Sequence, residues 1–220
     1  KKMSDKYLDV LNYALTLEHL EDALYHDIVK AGILTGQAQA YAEEYAYHEH
    51  QHVVLLEKVI MDAGGTPVKR QPSYNWPKFK SEAEAISFLR TVEDVGVSAY
   101  IGQVTNLQGS PYLTAAVQIH SVEAYHATAW RLVELKMGIE SESYEYAVPF
   151  AFATYDNGGV RTKEQVLKIV SPLLSGMPNT GAGGMAGDDS RGLLSALGVG
   201  TAAAAVALAT KKLTERRQES

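Results

Sequence analysis

Two glutamate–histidine pairs share one spacing: Glu49 with His52, and Glu123 with His126. Residues three apart on a helix face the same way, so each pair presents a carboxylate and an imidazole side by side. Such a pair is half of a dinuclear carboxylate site. The first pair also lies inside His48-Glu49-His50-Gln51-His52, which reads as H-E-x-x-H, the pattern of a helical zinc protease. That reading needs His48 as a ligand, Glu49 as base and a further ligand downstream, and it leaves Glu123 and His126 without a role. The dinuclear reading uses both pairs. His48 and His50 are then surface residues, or His48 stands behind a ligand. His19, His26 and His120 read as ordinary helix residues.

Two further acids match the pairs. Glu18 interrupts an apolar stripe of Leu8, Leu11, Leu15 and Tyr25; Glu93 interrupts one of Ile86, Leu89, Val97, Tyr100, Val104 and Leu107. Glu21 or Asp22 could take the place of Glu18, and Asp94 adjoins Glu93. Glu49 and His52 fall between Tyr45 and Leu56, with Tyr41 and Val59 further along. Glu123 and His126 fall between Ile119 and Trp130, on the stripe of Tyr112, Ala116 and Val133. Each acid stands near the middle of its helix. Carboxylates buried together repel one another and lose their water, at several kcal/mol per ion. Two divalent cations cancel four carboxylate charges, and neutral imidazoles complete the shell.

Four long helices must position these residues. The first is predicted over residues 4–30, with Gly32 as a stop, and the second over 37–63, ended by Gly64-Gly65-Thr66-Pro67. Ser81-Glu82-Ala83-Glu84 reads as a capping box opening the third. Gly109-Ser110-Pro111 is a break and restart, with Ser110 as N-cap and Pro111 at the first helical position of a fourth helix that reaches Met137. Gly138 stops it. Tight joins make the first and second helices antiparallel, and likewise the third and fourth. The middle connection of roughly 16 residues can extend over about 50 Å. A helix of about 26 residues is about 39 Å long. A long crossover is therefore affordable, and it makes helices two and three parallel. Thr162-Lys163-Glu164 starts a short amphipathic helix reaching residue 174. The expected fold class is all-α: a four-helix bundle with a long crossover between helices 2 and 3, plus a short fifth helix.

At these residues the chain resembles the ferritin-like superfamily. LNYALTLEHLEDALY looks like the first helix of that group, with Glu18 seven residues after Leu11 and Tyr25 seven after Glu18; HEHQH, LRTVEDVGVSAY and VEAYH look like the other three. More narrowly, the pattern is similar to bacterial ferritin-like domain proteins related to plant desiccation-related proteins, and RTKEQVLKIVSPLL fits the short helix after the bundle in that subgroup. The resemblance implies Glu18 and His52 as terminal ligands of one metal, Glu93 and His126 as terminal ligands of the other, and Glu49 and Glu123 as bridges. It places Tyr25 and Tyr100 beside the site, able to donate hydrogen bonds or electrons. The implied cofactor is two Fe ions, with Mn as the alternative.

The totals narrow the reading. The chain has 220 residues, a net charge of −6 and a pI near 5.6, so nothing global suggests a nucleic-acid partner. With no cysteine, disulfides, thiolate metal sites and cysteine nucleophiles are excluded. The organisation expected is a bundle with its accessory helix over 4–174, a Gly-rich flexible linker over 175–192 and a hydrophobic segment with a basic end over 193–220. Met177-Pro178-Asn179-Thr180-Gly181 resembles a sortase sorting signal of the L-P-x-T-G type, with Met at the first position in place of Leu; cleavage would fall between Thr180 and Gly181. The uncharged stretch 193–210 is near the lower limit for crossing a hydrocarbon core of about 30 Å, and the basic residues after it would stay cytoplasmic. A fifth helix docked on the bundle is the alternative for this stretch. If it anchors, the bundle faces outward at the cell surface and an export signal precedes Lys1; without export it is a tail anchor on a cytoplasmic bundle.

The expected activity is that of a ferroxidase- or peroxidase-type oxidoreductase in oxidative or desiccation stress, with dioxygen or peroxide as partner and a homodimer as assembly. Manganese would make the activity catalase-like. A non-catalytic surface protein with a structural metal is the alternative, whereas iron storage needs a closed shell of subunits that a surface tether opposes. Gly96, one turn from Glu93, is either a gap in the wall or a close helix contact.

Overall fold

The computed structural model describes residues 5–139 and 160–174. They form five α-helices: α1 (Asp5–Ala31), α2 (Gly36–Asp62), α3 (Glu82–Gln103), α4 (Leu113–Lys136) and the short α5 (Lys163–Val170), with 3-10 turns at Val104–Leu107 and Ser171–Leu173. The linker 175–192, the segment 193–220 and the motif 177–181 lie outside the described residues. No helix among the described residues is long and apolar enough to cross a membrane.

The first four helices form the expected bundle. Thr35, which precedes α2, donates its backbone N–H to Glu82 at the start of α3 (2.6 Å), so both helices begin at the same end. Lys136, at the end of α4, reaches Gln37 at that same end (3.0 Å). At the opposite end the Tyr7 hydroxyl of α1 donates to the Gln108 carbonyl beyond α3 (3.3 Å). Helices α2 and α3 are therefore parallel, and each is antiparallel to its hairpin partner.

The crossover between them is a strap along α1. Asn12 accepts from the Val68 N–H (2.7 Å) and donates to the Thr66 carbonyl (3.2 Å). His19 contacts the Val68 carbonyl (3.2 Å), Arg70 pairs with Asp22, and the Trp76 indole N–H donates to Asp27 (2.7 Å). Successive crossover residues thus meet successive turns of α1. Pro67, Pro72 and Pro77 suit an extended path, because proline favours extended backbone before it and has no N–H to leave unpaired.

Helix ends follow local chemistry, with three differences from expectation. Ser81 caps α3 by accepting from the Glu84 N–H (3.2 Å), but Glu84 reaches back to the N–H of Lys80 (2.8 Å) rather than to that of Ser81. α4 starts at Leu113 rather than Pro111. The chain leaves α3 through the 3-10 turn and then Gly109 at φ +78°, and Ser110 spends its hydroxyl on the Tyr112 N–H (3.2 Å) inside that turn. α5 has a complete capping box between Thr162 and Gln165, yet it ends at Val170, with Pro172 in the 3-10 turn that follows.

α5 docks near the far end of α3. The Arg161 N–H donates to the Ser98 carbonyl (3.3 Å) and its guanidinium to the Ser98 hydroxyl (2.8 Å). A Cβ on Gly102 would lie 2.0 Å from the Arg161 carbonyl oxygen, so only glycine permits this approach. At its other end the Asn75 N–H donates to the Leu173 carbonyl (2.8 Å), pinning the crossover to the segment after α5. Val166, Val170 and Leu173 are buried beneath it.

Among the described residues two large apolar clusters pack the bundle, with a small third one at Val97 and Ala127. One holds Leu20, Leu24, Phe88, Leu89 and Trp130; the other holds Leu11, Leu15, Leu56, Ile60, Leu107 and Ile119. Between them lies a buried polar layer. We expect Gly102→Ala to lift α5 off α3 and lower stability by about 1–3 kcal/mol, the usual cost of overpacking. Amide hydrogen exchange would then rise across 163–174 before it rises in α1–α4; unchanged protection there would refute the contact.

Candidate metal centre

Each long helix contributes to the polar layer at mid-length. Glu18, Glu49, Glu93, Glu123 and His126 are all at most 1% exposed, and His52 is 8% exposed. They converge as two overlapping groups. One ligand-capable atom from each of Glu18, Glu49, His52 and Glu123 falls within 4.8 Å of the others; the same holds for Glu49, Glu93, Glu123 and His126. Glu49 and Glu123 belong to both groups.

Atomic contacts repeat across the two halves. His52 Nδ1 lies 3.0 Å from Glu18 Oε2 and 3.1 Å from Glu49 Oε2. His126 Nδ1 lies 3.0 Å from Glu49 Oε1 and 3.4 Å from Glu93 Oε2. The Tyr100 hydroxyl donates to Glu18 Oε1, and the Tyr25 hydroxyl donates to Glu93 Oε1. Each terminal carboxylate therefore has one oxygen held by a tyrosine and the other turned toward an imidazole. The exchange is reciprocal: the tyrosine of α1 holds the glutamate of α3, and the tyrosine of α3 holds the glutamate of α1. In both helices the tyrosine follows its glutamate by seven residues, two turns along the same face.

An aromatic wall stands on one side. The Trp130 indole N–H donates to the Tyr25 hydroxyl (2.7 Å), and the Tyr45 ring stacks on His126 with centroids 3.9 Å apart. His126 Nε2 lies 2.9 Å from His48 Nδ1, and His48 Nε2 lies 3.2 Å from Glu44 at the surface. With Nδ1 turned into the layer, the natural tautomer has the His126 Nε2–H donating to His48, which fixes the ring plane.

The alternatives raised by the sequence resolve differently. Asp22 turns away to Arg70, and Asp94 is held by Arg90 and Arg131. Glu21 is drawn in beside Glu18 rather than replacing it. It is 2% exposed, and its Oε2 has no hydrogen-bond partner among the described residues. Sequence reasoning assigned no separate place to Glu21, and His48 only loosely; the i+3 spacing of Glu21 from Glu18 was the available signal. Gly96 is a close contact and not an open gap. A Cβ there would sit 2.6 Å from Glu123 Oε2 and 2.9 Å from Glu21 Oε1. Its missing side chain makes the room that two carboxylates occupy.

Electrostatics show what the layer lacks. Burial pushes Glu18 up to about 7, despite the opposing pull of His52. Burial and then the neighbouring carboxylates raise Glu21 and Glu123 well above the usual range, and burial raises Glu93 against the pull of His126. Burial would also raise Glu49, but His126 and His52 outweigh it and hold that carboxyl far below its usual value. Burial alone would lower both histidines. Glu93 and Glu49 instead lift His126 to about 10, and Glu18, Glu123 and Glu49 lift His52 strongly. Glu49 Oε1, Glu93 Oε2, both Glu123 oxygens and His126 Nδ1 have no hydrogen-bond partner among the described residues. These atoms approach one another closely without well-formed hydrogen bonds, and an oxygen-rich set with two imidazoles is one that could hold metal ions.

The chain matches the ferritin-like domain family over residues 6–136, and it belongs to that family. Among solved structures it is similar to a conserved hypothetical protein, rv2844, from Mycobacterium tuberculosis, with a TM-score of 0.55 and 20% identity over 60% of this chain and 98% of that one. At that identity the likeness speaks for the fold alone. No functionally curated protein matches the chain.

Without metal, the raised acids and raised imidazoles act in the same direction. An acid with a raised pKa favours the folded state while protonated, and loses that contribution as pH climbs through the raised value. A raised histidine gives its full contribution below its unfolded pKa, and here loses it as pH climbs toward about 10. Glu49 opposes them only in acid. We therefore expect the Tm of chelator-treated protein to fall steadily from about pH 5 to about pH 9. Added divalent cation should raise Tm most at the alkaline end, because binding displaces protons. Calorimetry across that range checks both, and a metal-free Tm that rises with pH would contradict the buried layer.

Proposed function

We propose that this protein is a dinuclear-metal oxidoreductase that oxidises ferrous iron with dioxygen or peroxide. The observation that carries the reading is the double ligand set, in which Glu49 and Glu123 each belong to both groups. Glu18 and His52 would hold one ion, Glu93 and His126 the other, with Glu49 and Glu123 between them. When bound, a pair of such ions supplies two electrons, enough with two protons to convert dioxygen to hydrogen peroxide, or hydrogen peroxide to two waters.

The protein's own groups set the geometry. Tyr100 and Tyr25 each engage one oxygen of a terminal carboxylate, which leaves a single oxygen directed inward. Holding these carboxylates in place avoids reorganisation when charge at the centre changes. Tyr25 also links the centre to a buried aromatic neighbour, because its hydroxyl joins Glu93 to the Trp130 indole and its ring lies 6.4 Å from that of Trp130. The apolar clusters above and below keep bulk water out.

The desiccation-type resemblance supports a role in stress protection. The sorting-like sequence 177–181 and the uncharged stretch 193–210 support a bundle held at a cell surface.

Metal content tests the reading most directly. Protein purified without chelator should carry about two ions per chain, as a dinuclear four-helix site does. Glu49→Ala and Glu123→Ala should each lose most of that metal while retaining helical circular dichroism. Full metal content in both variants would sink the bridging assignment. Metal retained with no consumption of dioxygen or peroxide by the iron-loaded parent would leave a structural metal instead.

A further inference from the structure

The six ligands leave one buried acid unexplained. Outside them the buried acids among the described residues are Glu21, Asp22, Asp94 and Glu134. Asp22 pairs with Arg70, Asp94 with Arg90 and Arg131, and Glu134 with Arg90 (3.3 Å). Three of the four are thus held by a cation of the protein's own. Glu21 has no such cation among the described residues, and its Oε2 has no hydrogen-bond partner there either. A carboxylate left so is strongly unfavourable in a dry interior.

Its surroundings say where a partner would stand. Glu21 follows Glu18 by three residues, so the two share a face of α1, as the glutamate and histidine of each pair do on α2 and α4. Glu21 Oε1 and Glu123 Oε2 flank the bare Cα of Gly96, at 2.9 and 2.6 Å from the point where a Cβ would lie. Both Glu123 oxygens also lack a hydrogen-bond partner among the described residues. Glu21 as it stands belongs to neither ligand group. Yet α3 carries no side chain at the place where Glu21 meets an acid common to both groups.

We propose that Glu21 is a further metal ligand, a fifth carboxylate that binds the ion of Glu18 and His52 from α1, beside Glu123. The inference rests on the dinuclear-metal reading and adds a seventh residue to it. Charge gives the extra ligand a consequence. Two ferrous ions bring four positive charges, which four carboxylates balance. A fifth carboxylate is balanced only when one iron has passed an electron to dioxygen or peroxide and become ferric. Glu21 therefore favours the oxidised pair over the ferrous one, because unlike charges attract strongly where water is excluded.

The protein loaded with zinc, which is redox-inert, tests ligation directly. In a crystal structure of that form we expect an oxygen of Glu21 at about 2.0–2.2 Å from one zinc ion, the usual carboxylate distance. Two zinc ions on the other six residues, with Glu21 turned away from both, would overturn the proposal and leave the dinuclear reading standing. A parent that binds no zinc, manganese or iron would remove both. Glu21→Gln keeps the size of the side chain and removes its charge. The other six ligands remain, so this variant should still bind about two irons per chain, with its helical circular dichroism unchanged. In an anaerobic redox titration its oxidised form should be disfavoured at least tenfold relative to the parent, a rise of about 59 mV in midpoint potential for a one-electron step. An unchanged potential would overturn the proposal and make Glu21 a neutral, space-filling acid. Moving the acid to the opposite hairpin, by Glu21→Gly together with Gly96→Glu, should return the potential most of the way to that of the parent. A swapped chain that holds its iron at the potential of Glu21→Gln would overturn it as well.

Discussion

Buried negative charge needing a positive partner is the constraint on which the rest of this structure turns. Five carboxyl groups and two imidazoles share one dry layer, between apolar clusters that admit little water. Protonated histidines can offset only two of those charges. Desolvating several carboxylates together costs far more than helix propensity or surface ion pairs recover. The layer is therefore stable either with acids kept protonated, as the raised values of Glu18, Glu21, Glu93 and Glu123 indicate, or with cations in place. A fold evolved for stability alone would place leucine at these positions.

The bundle meets this constraint with one half-structure used twice. Each antiparallel hairpin offers a glutamate and a tyrosine on its first helix and a Glu-x-x-His pair on its second. The hairpins then face each other and exchange tyrosine hydroxyls across the layer. The crossover that joins them is tied along α1 at Asn12, His19, Asp22 and Asp27, so the two halves are held in register outside the layer as well as within it.

Much of this was legible in the chain because helical period and charge speak together. An acid standing in the middle of an apolar stripe is conspicuous, and four of them at similar depth name the layer. Gly32, Gly64 and Gly138 mark the helix ends, as positive φ at each confirms. What could not be read depended on tertiary contact. Ser110 looked like an N-cap, but its hydroxyl was claimed by a turn, and the helix began later. Glu84 looked like a partner for the Ser81 N–H and took that of Lys80 instead. Asp22 and Asp94 matched the ligands in type and spacing, yet arginines distant in sequence drew them aside. The path of the crossover rests on side chains of α1 that carry no local signal for it.

The two halves are not identical, and the difference lies at one pair of matched positions. Three residues after Glu18 stands Glu21; three residues after Glu93 stands Gly96. The glycine clears the space into which Glu21 and Glu123 extend, so the extra acid has no counterpart on the opposite hairpin. Two ions held here would consequently sit in unequal electric fields. Any cations held there would therefore meet an environment that the near-twofold arrangement of the hairpins does not make equal on its two sides.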